Sequence, residues 1–205
     1  MKKNLITAIL MTVATTILLG IIYPLVVTGL AQLIFPHQAK GQLIQKNGKV
    51  IASSIIAQGF SSPGYFHPRP SFAGNGYDPT STNGSQLGPT NQKLIDRVKA
   101  DVATAQAENP GTPVPIDMVT GSGSGLDPHI TPASAQFQLA RVAKERGTTE
   151  DQLRSLVQKH TEDRQFGFLG EPRVNVLELN LALDERFPRK KQARGDKDMN
   201  DAWPE

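Results

Sequence analysis

The residue types best suited to chemistry lie in one short segment that ends at His129. Ser122, Ser124, Asp127 and His129 are the residue types of a hydrolytic triad, but triad members usually come from separate segments that converge in space. Four such residues within one loop do not easily converge on a single hydroxyl. Hydrolysis is therefore not the favoured function. A membrane-anchored exported hydrolase that uses Ser124 and His129 is kept as an alternative, as is a binding module.

Glycines alternate through the same loop, at Gly121, Gly123 and Gly125, just before a predicted helix. Free backbone N–H groups ahead of a helix can bind an anion. The spacing matches neither the P-loop nor the dinucleotide-binding pattern, so a tight structural or partner-contacting turn is favoured over a nucleotide site. Direct contact of this loop with ATP stays open as a third hypothesis.

A second polar turn places Glu171 and Arg173 two residues apart, just before Asn175. An exposed ion pair is worth less than about 1 kcal/mol. The two charges therefore either dock onto a partner or belong to a structural turn in which Asn175 caps a helix.

Composition excludes several classes of site. The chain has no cysteine, which excludes a disulfide scaffold and a cysteine-based zinc site, and its net charge of +3 is too small to indicate nucleic acid. The histidines lack metal-ligand spacing, so we expect no metal at His37, His67, His129 and His160.

The N-terminal part of the chain is long and apolar enough to span a membrane. No charged residue occurs between Asn4 and Ala39, and the apolar run 5–35 exceeds the ~20 residues that a spanning helix needs. A signal peptide has a shorter apolar region of ~7–15 residues, and 28–31 is a poor cleavage site. We predict an uncleaved transmembrane helix.

Small residues and one proline interrupt this helix, at Gly20, Pro24 and Gly29. Small residues allow helices to approach closely in lipid, and an internal proline is expected to kink the helix. These three positions are predicted to pack against other membrane helices.

Lysines at the two ends predict the orientation. Lys2 and Lys3 give a compact positive N-terminus, which favours a cytoplasmic location for it. The chain is then a single-pass protein of the cell inner (plasma) membrane, with its main domain periplasmic or extracytoplasmic. The predicted organisation is a cytoplasmic N-terminus, a transmembrane helix, one outer domain and a charged flexible tail, at residues 1–4, 5–35, 40–187 and 188–205.

The outer domain is predicted to be mixed. Asn47-Gly48 between apolar runs predicts a hairpin with strands near 41–46 and 49–57. Residues 59–90 hold enough aromatics for an ordered loop rather than a linker. Helical spacing, caps and breakers predict the remaining elements: a helix at 91–107, an extended stretch at 113–119, and helices at 132–146, from Thr148 or Thr149 to His160, and from Asn175 onward. The fold class is α+β, with one N-terminal transmembrane helix followed by a single mixed α/β extracytoplasmic domain.

Several of these segments together resemble the KdpC family, the small subunit of bacterial Kdp potassium-transporting ATPases. The resemblance covers about residues 1–187 and is highly specific. The matching segments are 65–71, 84–89, 114–115 with 119–130, 141–143, 160–162 and 170–184.

The resemblance implies an accessory, non-catalytic subunit of a four-part potassium uptake complex. Its partners would be the channel-like KdpA, the P-type ATPase KdpB and the small KdpF subunit, with no firmly bound cofactor. The family is described as a catalytic chaperone that raises the ATP affinity of the pump subunit through a transient ternary complex. ATP is cytoplasmic, however, and the predicted orientation points the domain outward, which favours a role in assembling and stabilising the complex.

Partner contacts are expected in the loops 59–90 and 121–130 and in the polar turn that follows Gly170. The candidate residues are Tyr65, Phe66, Arg69, Ser124, Asp127, His129, Glu171 and Arg173.

Overall fold

Two units make up the part of the chain that the structure describes. The computed structural model describes residues 1–46 and 48–188; the first unit is Met1–Ser53 and the second begins at Ser54. The predicted outer domain at 40–187 stays a prediction, and the predicted tail falls, from residue 189 onward, outside the described residues.

One long helix opens the first unit. It comprises α1 (Lys2–Thr15), a π-helical stretch (Thr16–Ile22) and α2 (Tyr23–Ile34), 33 residues in all. At 1.5 Å per residue this exceeds the ~30 Å of a bilayer core, and none of its residues is buried. With the mixed helix and sheet that follow, this helix, which could span a membrane, confirms the predicted fold class.

The π-helical stretch ends just before Pro24, which explains its position. Proline has no N–H to donate to the carbonyl of Gly20, and its ring clashes with that carbonyl. A wider π turn, which here includes Gly20, relieves the clash. The packing of Gly20, Pro24 and Gly29 against other membrane helices stays a prediction.

A short turn and a hairpin complete the first unit. After α3 (Pro36–Ala39), strands β1 (Leu43–Lys46) and β2 (Lys49–Ser53) pair antiparallel. Gly48 has the positive φ, +77°, that the predicted turn requires; Asn47 lies outside the described residues. Strand β2 ends at Ser53, so the predicted strand 49–57 was too long.

The second unit is built from helices joined by long loops. Its regular helices are α4 (Gln92–Glu108), α5 (Pro132–Phe137), α6 (Leu139–Arg146), α7 (Glu150–Lys159) and α8 (Val176–Arg186). The side chains of Asn91, Thr131, Thr149 and Asn175 accept backbone N–H groups at the starts of α4, α5, α7 and α8. The caps at Thr131, Thr149 and Asn175 confirm predictions, whereas Asn91, predicted as the first residue of its helix, caps it.

Two predictions in this unit were wrong. The stretch 113–119 contains a 3₁₀ turn, Ile116–Met118, because the buried Asp117 accepts hydrogen bonds from the start of α5. The helix predicted at 132–146 is interrupted at Gln138, whose side chain is committed to hydrogen bonds with another loop.

A small antiparallel sheet joins the loops to the helices. It has the order β3 (His129–Ile130), β5 (Arg173–Asn175), β4 (Thr161–Glu162). The core lies between this sheet, helices α5 to α8 and the loop 59–90. Its most deeply buried apolar members include Phe66, Leu139, Val142, Leu153, Val174, Leu179 and Leu183.

The loop 59–90 is ordered although it has no regular helix or strand. The Asn180 side chain accepts the N–H of Phe66 at 2.9 Å and donates to its carbonyl at 2.9 Å. Gln138 does the same for His67, at 2.7 and 3.1 Å. Both amides are buried. Since buried backbone groups need partners, these side chains replace the neighbouring strand that the loop lacks.

A buried ion pair fixes the same loop from the other side. Arg146, whose side chain is 0% exposed, contacts Asp184 at 2.7 Å and donates to the carbonyl of Gly64 at 2.8 Å. Tyr65 donates its hydroxyl to Asp184 at 2.9 Å, and the Arg146 guanidinium lies 4.6 Å from its ring centroid. Further hydrogen bonds to Arg146 and Asp184 offset part of the cost of burying this pair, although the second Nη of Arg146 has no hydrogen-bond partner in the described structure.

Replacing Asn180 tests this use of amide side chains. Asn180→Leu keeps a similar volume but leaves the Phe66 N–H and carbonyl buried without partners, each at about 1–3 kcal/mol. We expect the free energy of unfolding of the full-length chain in detergent to fall by about 2–6 kcal/mol. Gln158→Leu, at an exposed position on α7, should change it by less than about 0.5 kcal/mol. Equal effects of the two variants would contradict the account.

Candidate functional site

Three loops that are distant in sequence meet in one open groove. The groove has a volume of about 270 Å³, and five of the eight predicted partner-contact residues line it. The lining residues are Arg69, Asp117, Asp127, His129, Ile130, Thr131, Glu171, Pro172 and Arg173. We call this the 69–173 groove.

Arg69 is held in the groove by the neighbouring glycine loop. Its Nε donates to the carbonyl of Thr120 at 3.2 Å, and an Nη donates to the carbonyl of Gly121 at 3.1 Å. Its other Nη lies 3.4 Å from the Asp127 carboxylate. The Tyr77 hydroxyl donates to the Arg69 carbonyl at 2.8 Å, and burial raises the pKa of Tyr77 to about 12. Arg69 therefore joins two loops and leaves only part of its guanidinium open to the groove.

Asp127 and His129 form a pair at the start of β3. One Asp127 oxygen accepts the backbone N–H of His129 at 3.0 Å and lies 3.3 Å from its ring Nδ1. Burial raises the pKa of Asp127, but the hydrogen bonds from His129, with the electrostatic contributions of His129 and Arg69, outweigh it and lower the pKa below its usual value. The carboxylate is therefore ionised over the physiological pH range.

Glu171 and Arg173 carry the more exposed charges of the groove. Glu171 contacts Arg164 at 2.9 Å, and Arg173 contacts Glu162 across the β4–β5 pair at 2.8 Å. All four side chains are about half exposed or more. Exposed pairs of this kind add little to stability, so these charges remain available to a partner.

The other three predicted contact residues lie elsewhere. Tyr65 and Phe66 are buried in the core, where they hold the loop 59–90 against α6 and α8. Their predicted role as direct contacts is corrected to a positioning role. Ser124 is exposed but does not line the groove, and its hydroxyl accepts the N–H of Leu126 at 3.1 Å.

The glycines at 121 and 125 are needed for close packing. A Cβ at Gly121 would lie 2.4 Å from the Phe72 ring, and a Cβ at Gly125 would lie 2.6 Å from the carbonyl oxygen of Asn83. Gly125 also has a φ of +71°, which favours glycine. Gly123 has nothing within 4 Å of the same position. Two of the three glycines therefore let the loops 59–90 and 121–130 touch.

The start of α5 is already occupied by an anion of the protein itself. Asp117 accepts the N–H of Thr131 at 2.7 Å and hydroxyl hydrogen bonds from Thr131 and Ser134, at 3.1 and 2.5 Å. A carboxylate at a helix N-terminus satisfies the free N–H groups there. Sequence reasoning missed Asp117, because it lies 14 residues before Thr131 and no local pattern connects the two.

The residues of the suggested triad do not form one. The hydroxyls of Ser122 and Ser124 accept backbone N–H groups of Asp127 and Leu126, and neither hydrogen-bonds to the His129 ring in the described structure. Among the described residues no group of three acidic or histidine side chains could hold a metal ion. The groove therefore offers fixed charges of both signs, which suits recognition of another polar surface.

Comparisons with known proteins match the part of the chain that contains the groove. The family model described as "K+-transporting ATPase, c chain" matches residues 5–185. The chain belongs to the KdpC family. It is 65% identical over 188 residues to the potassium-transporting ATPase KdpC subunit of Koribacter versatilis, covering 92% of this chain and 97% of the relative.

Two further relatives carry the same name. The KdpC subunit of Rhodospirillum rubrum is 55% identical over 190 residues, covering 92% of this chain and 98% of the relative. That of Myxococcus xanthus is 51% identical over 190 residues, covering 91% and 90%. The KdpC resemblance stated from the sequence is confirmed. The region that the family model matches, 5–185, contains every residue of the 69–173 groove.

Alanine at the three glycines separates packing from anion binding. Gly121→Ala should lower the free energy of unfolding by about 1–3 kcal/mol through overpacking, and Gly125→Ala by at least about 1 kcal/mol through its left-handed backbone. Gly123→Ala is the matched control and should be nearly neutral. Thermal or denaturant unfolding of the full-length chain measures all three; a loss of equal size at Gly123 would contradict the packing role.

The lowered pKa of Asp127 predicts a pH dependence. Its ionised form is favoured in the folded state, so its contribution to stability is fully present above the unfolded-state pKa of about 3.9 and is lost as the pH falls through the lower, folded-state pKa. Denaturation midpoints of the wild type and Asp127→Asn should therefore differ at neutral pH and converge below about pH 4. A difference that does not change with pH would contradict this.

Proposed function

We propose that this chain is a non-catalytic accessory subunit that assembles and stabilises the Kdp potassium-uptake complex. Its partners are the channel-like KdpA, the P-type ATPase KdpB and the small KdpF subunit. The observation that carries the proposal is the 69–173 groove, where charges of both signs from three separate loops are held open on a rigid frame. Family membership supports the identity of the complex.

The N-terminal helix supplies the membrane half of the assembly. It buries none of its apolar side chains within its own unit, so lipid or partner helices must cover them. The hydroxyls of Thr7, Thr12 and Thr15 donate to carbonyls four residues earlier, at 3.0, 2.9 and 2.8 Å, which makes this helix compatible with lipid. The N-terminus is cytoplasmic, and the second unit lies outside the inner membrane.

The groove supplies the polar half of the assembly. Its rim charges at Glu171 and Arg173 are exposed, whereas Arg69 and Asp127 below them are fixed by the loops. Complementary charges on two surfaces mainly set their orientation and association rate. The groove therefore orients this subunit on the extracytoplasmic face of a partner.

The family description as a catalytic chaperone for ATP enters here as an indirect effect. The glycine loop packs against Phe72 and Asn83, and Asp117 occupies the start of α5. These contacts favour an influence on ATP affinity that is exerted through the pump subunit rather than by contact of ATP with the loop. The alternative function, an exported hydrolase, is not favoured, because the Ser124 hydroxyl and the His129 ring hydrogen-bond to other groups and not to each other.

Two replacements test the assembly function in the complete complex. Exchanging residues 5–35 for an unrelated apolar helix of equal length should abolish co-purification and potassium-stimulated ATPase activity. Arg173→Glu should weaken association about threefold to tenfold at low salt and less at high salt, as rim charges do. Normal assembly with both replacements would contradict the proposal.

Lys99→Glu is the matched control for the charge reversal. Lys99 is exposed in the middle of α4 and does not line the 69–173 groove. The same change of charge there should leave association within about twofold of the wild type, since salt screens an exposed charge that lies outside the contact surface. An equal loss with Lys99→Glu would mean that net charge, rather than the groove, governs association.

A further inference from the structure

A short apolar loop projects between β4 and β5. We call residues 165–169 the apolar finger. Phe166 is 84% exposed, Phe168 70% and Leu169 48%. Single exposed apolar residues are ordinary on protein surfaces, but contiguous ones mark interaction sites. Three within four positions of one loop are costly to leave in water.

The apolar finger is held in one conformation. Gln165 and Leu169 exchange backbone hydrogen bonds, each at 2.9 Å, and these two bonds close the base of the finger. Phe166 adopts a φ of +54°, which is uncommon for a bulky residue. A backbone strained in this way persists because the surrounding turn imposes it. The tip is therefore pre-organised, and ordering it on binding costs little.

The apolar finger leads directly into the 69–173 groove. Glu171, Pro172 and Arg173 follow it in the chain and line the groove. An apolar anchor beside a polar, solvent-accessible rim is the usual arrangement of residues that dominate binding between proteins. The finger and the rim thus form one continuous surface.

The charges around the apolar finger favour a protein over a membrane as its binding partner. The flanking residues are acidic at Glu162, Asp163 and Glu171 and basic at Arg164 and Arg173. Loops and helices that bind anionic lipid are instead enriched in Lys and Arg. Three acids against two bases disfavour a lipid surface and suit the mixed rim of a protein interface.

We propose that the apolar finger inserts Phe166 and Phe168 into an apolar cleft on a partner subunit of the same complex. The proposal deepens, and rests on, the assembly function proposed above. The finger supplies affinity by burying two aromatic side chains, and the rim of the groove supplies orientation.

Removing the two rings in the full-length chain tests the proposal. Phe166→Asn with Phe168→Ser removes the apolar surface, and asparagine tolerates the positive φ at 166. Titration against the tagged complex of the other subunits should give a dissociation constant about tenfold or more above the wild type. Ile116→Ser, the matched control, changes another exposed apolar residue, 74% exposed and outside the finger, and should stay within about twofold.

A fluorescence reporter distinguishes a protein cleft from lipid. Phe168→Trp is introduced after Trp203, the chain's single tryptophan, has been replaced by Phe. Emission that shifts to the blue only when the partner subunits are added, without quenching by brominated lipid tails, supports the proposal. Quenching by those lipids with this chain alone overturns it in favour of membrane insertion. Unchanged emission in both cases also overturns it.

The outcomes separate this proposal from the assembly function. If the double finger variant assembles normally while the exchange of residues 5–35 prevents assembly, the finger proposal is wrong and the assembly function stands. If neither change affects assembly, both are wrong.

Discussion

Every functional feature of the second unit depends on how a loop without helix or strand satisfies its backbone. Phe66 lies in the core and His67 is half-buried next to it, so their N–H and carbonyl groups need hydrogen-bond partners within the protein. The side-chain amides of Asn180 and Gln138 supply the hydrogen bonds that these N–H and carbonyl groups need. Burying such amides is favourable only because both their donor and acceptor atoms are used. The loop can therefore pass through the core and carry Arg69 to the groove at a fixed place.

The commitment of these side chains shapes the helices as well as the loop. Gln138 lies where α5 ends and α6 begins, and its side chain is turned to His67. Arg141, one turn later, donates to the same Gln138 oxygen at 2.5 Å and to the carbonyl of Tyr65 at 2.9 Å. Burial lowers the pKa of Arg141, partly offset by Glu108. Helix, loop and groove thus form one connected unit.

Local signals made much of this fold predictable. The caps at Thr131, Thr149 and Asn175 act within three residues of their own position, so sequence spacing alone identifies them. The charge-free N-terminal run predicted the long apolar helix for the same reason. Residue types and spacing singled out Asp127, His129, Glu171 and Arg173, and the loop 59–90 added Arg69; the fold brings these five together in one groove.

Contacts between distant residues were not predictable in this way. The aromatic content of the loop 59–90 indicated order, but nothing local distinguishes a core tyrosine such as Tyr65 from a surface anchor. The 3₁₀ turn at Asp117 and the break at Gln138 depend on partners 14 and 71 residues away. The alternating glycines favoured a tight turn but left an anion site open, because their true neighbours, Phe72 and Asn83, belong to another loop.

The side on which the second unit lies tests the account most directly. The chain has no cysteine, so Gly123→Cys, where a side chain meets open space, gives a single thiol. In spheroplasts with an intact inner membrane, this thiol should react with an impermeant maleimide added from outside. The thiol of Lys2→Cys should react only after lysis. Protection of Cys at 123 until lysis, with labelling at position 2 from outside, would contradict the account and return the glycine loop to the ATP-containing side.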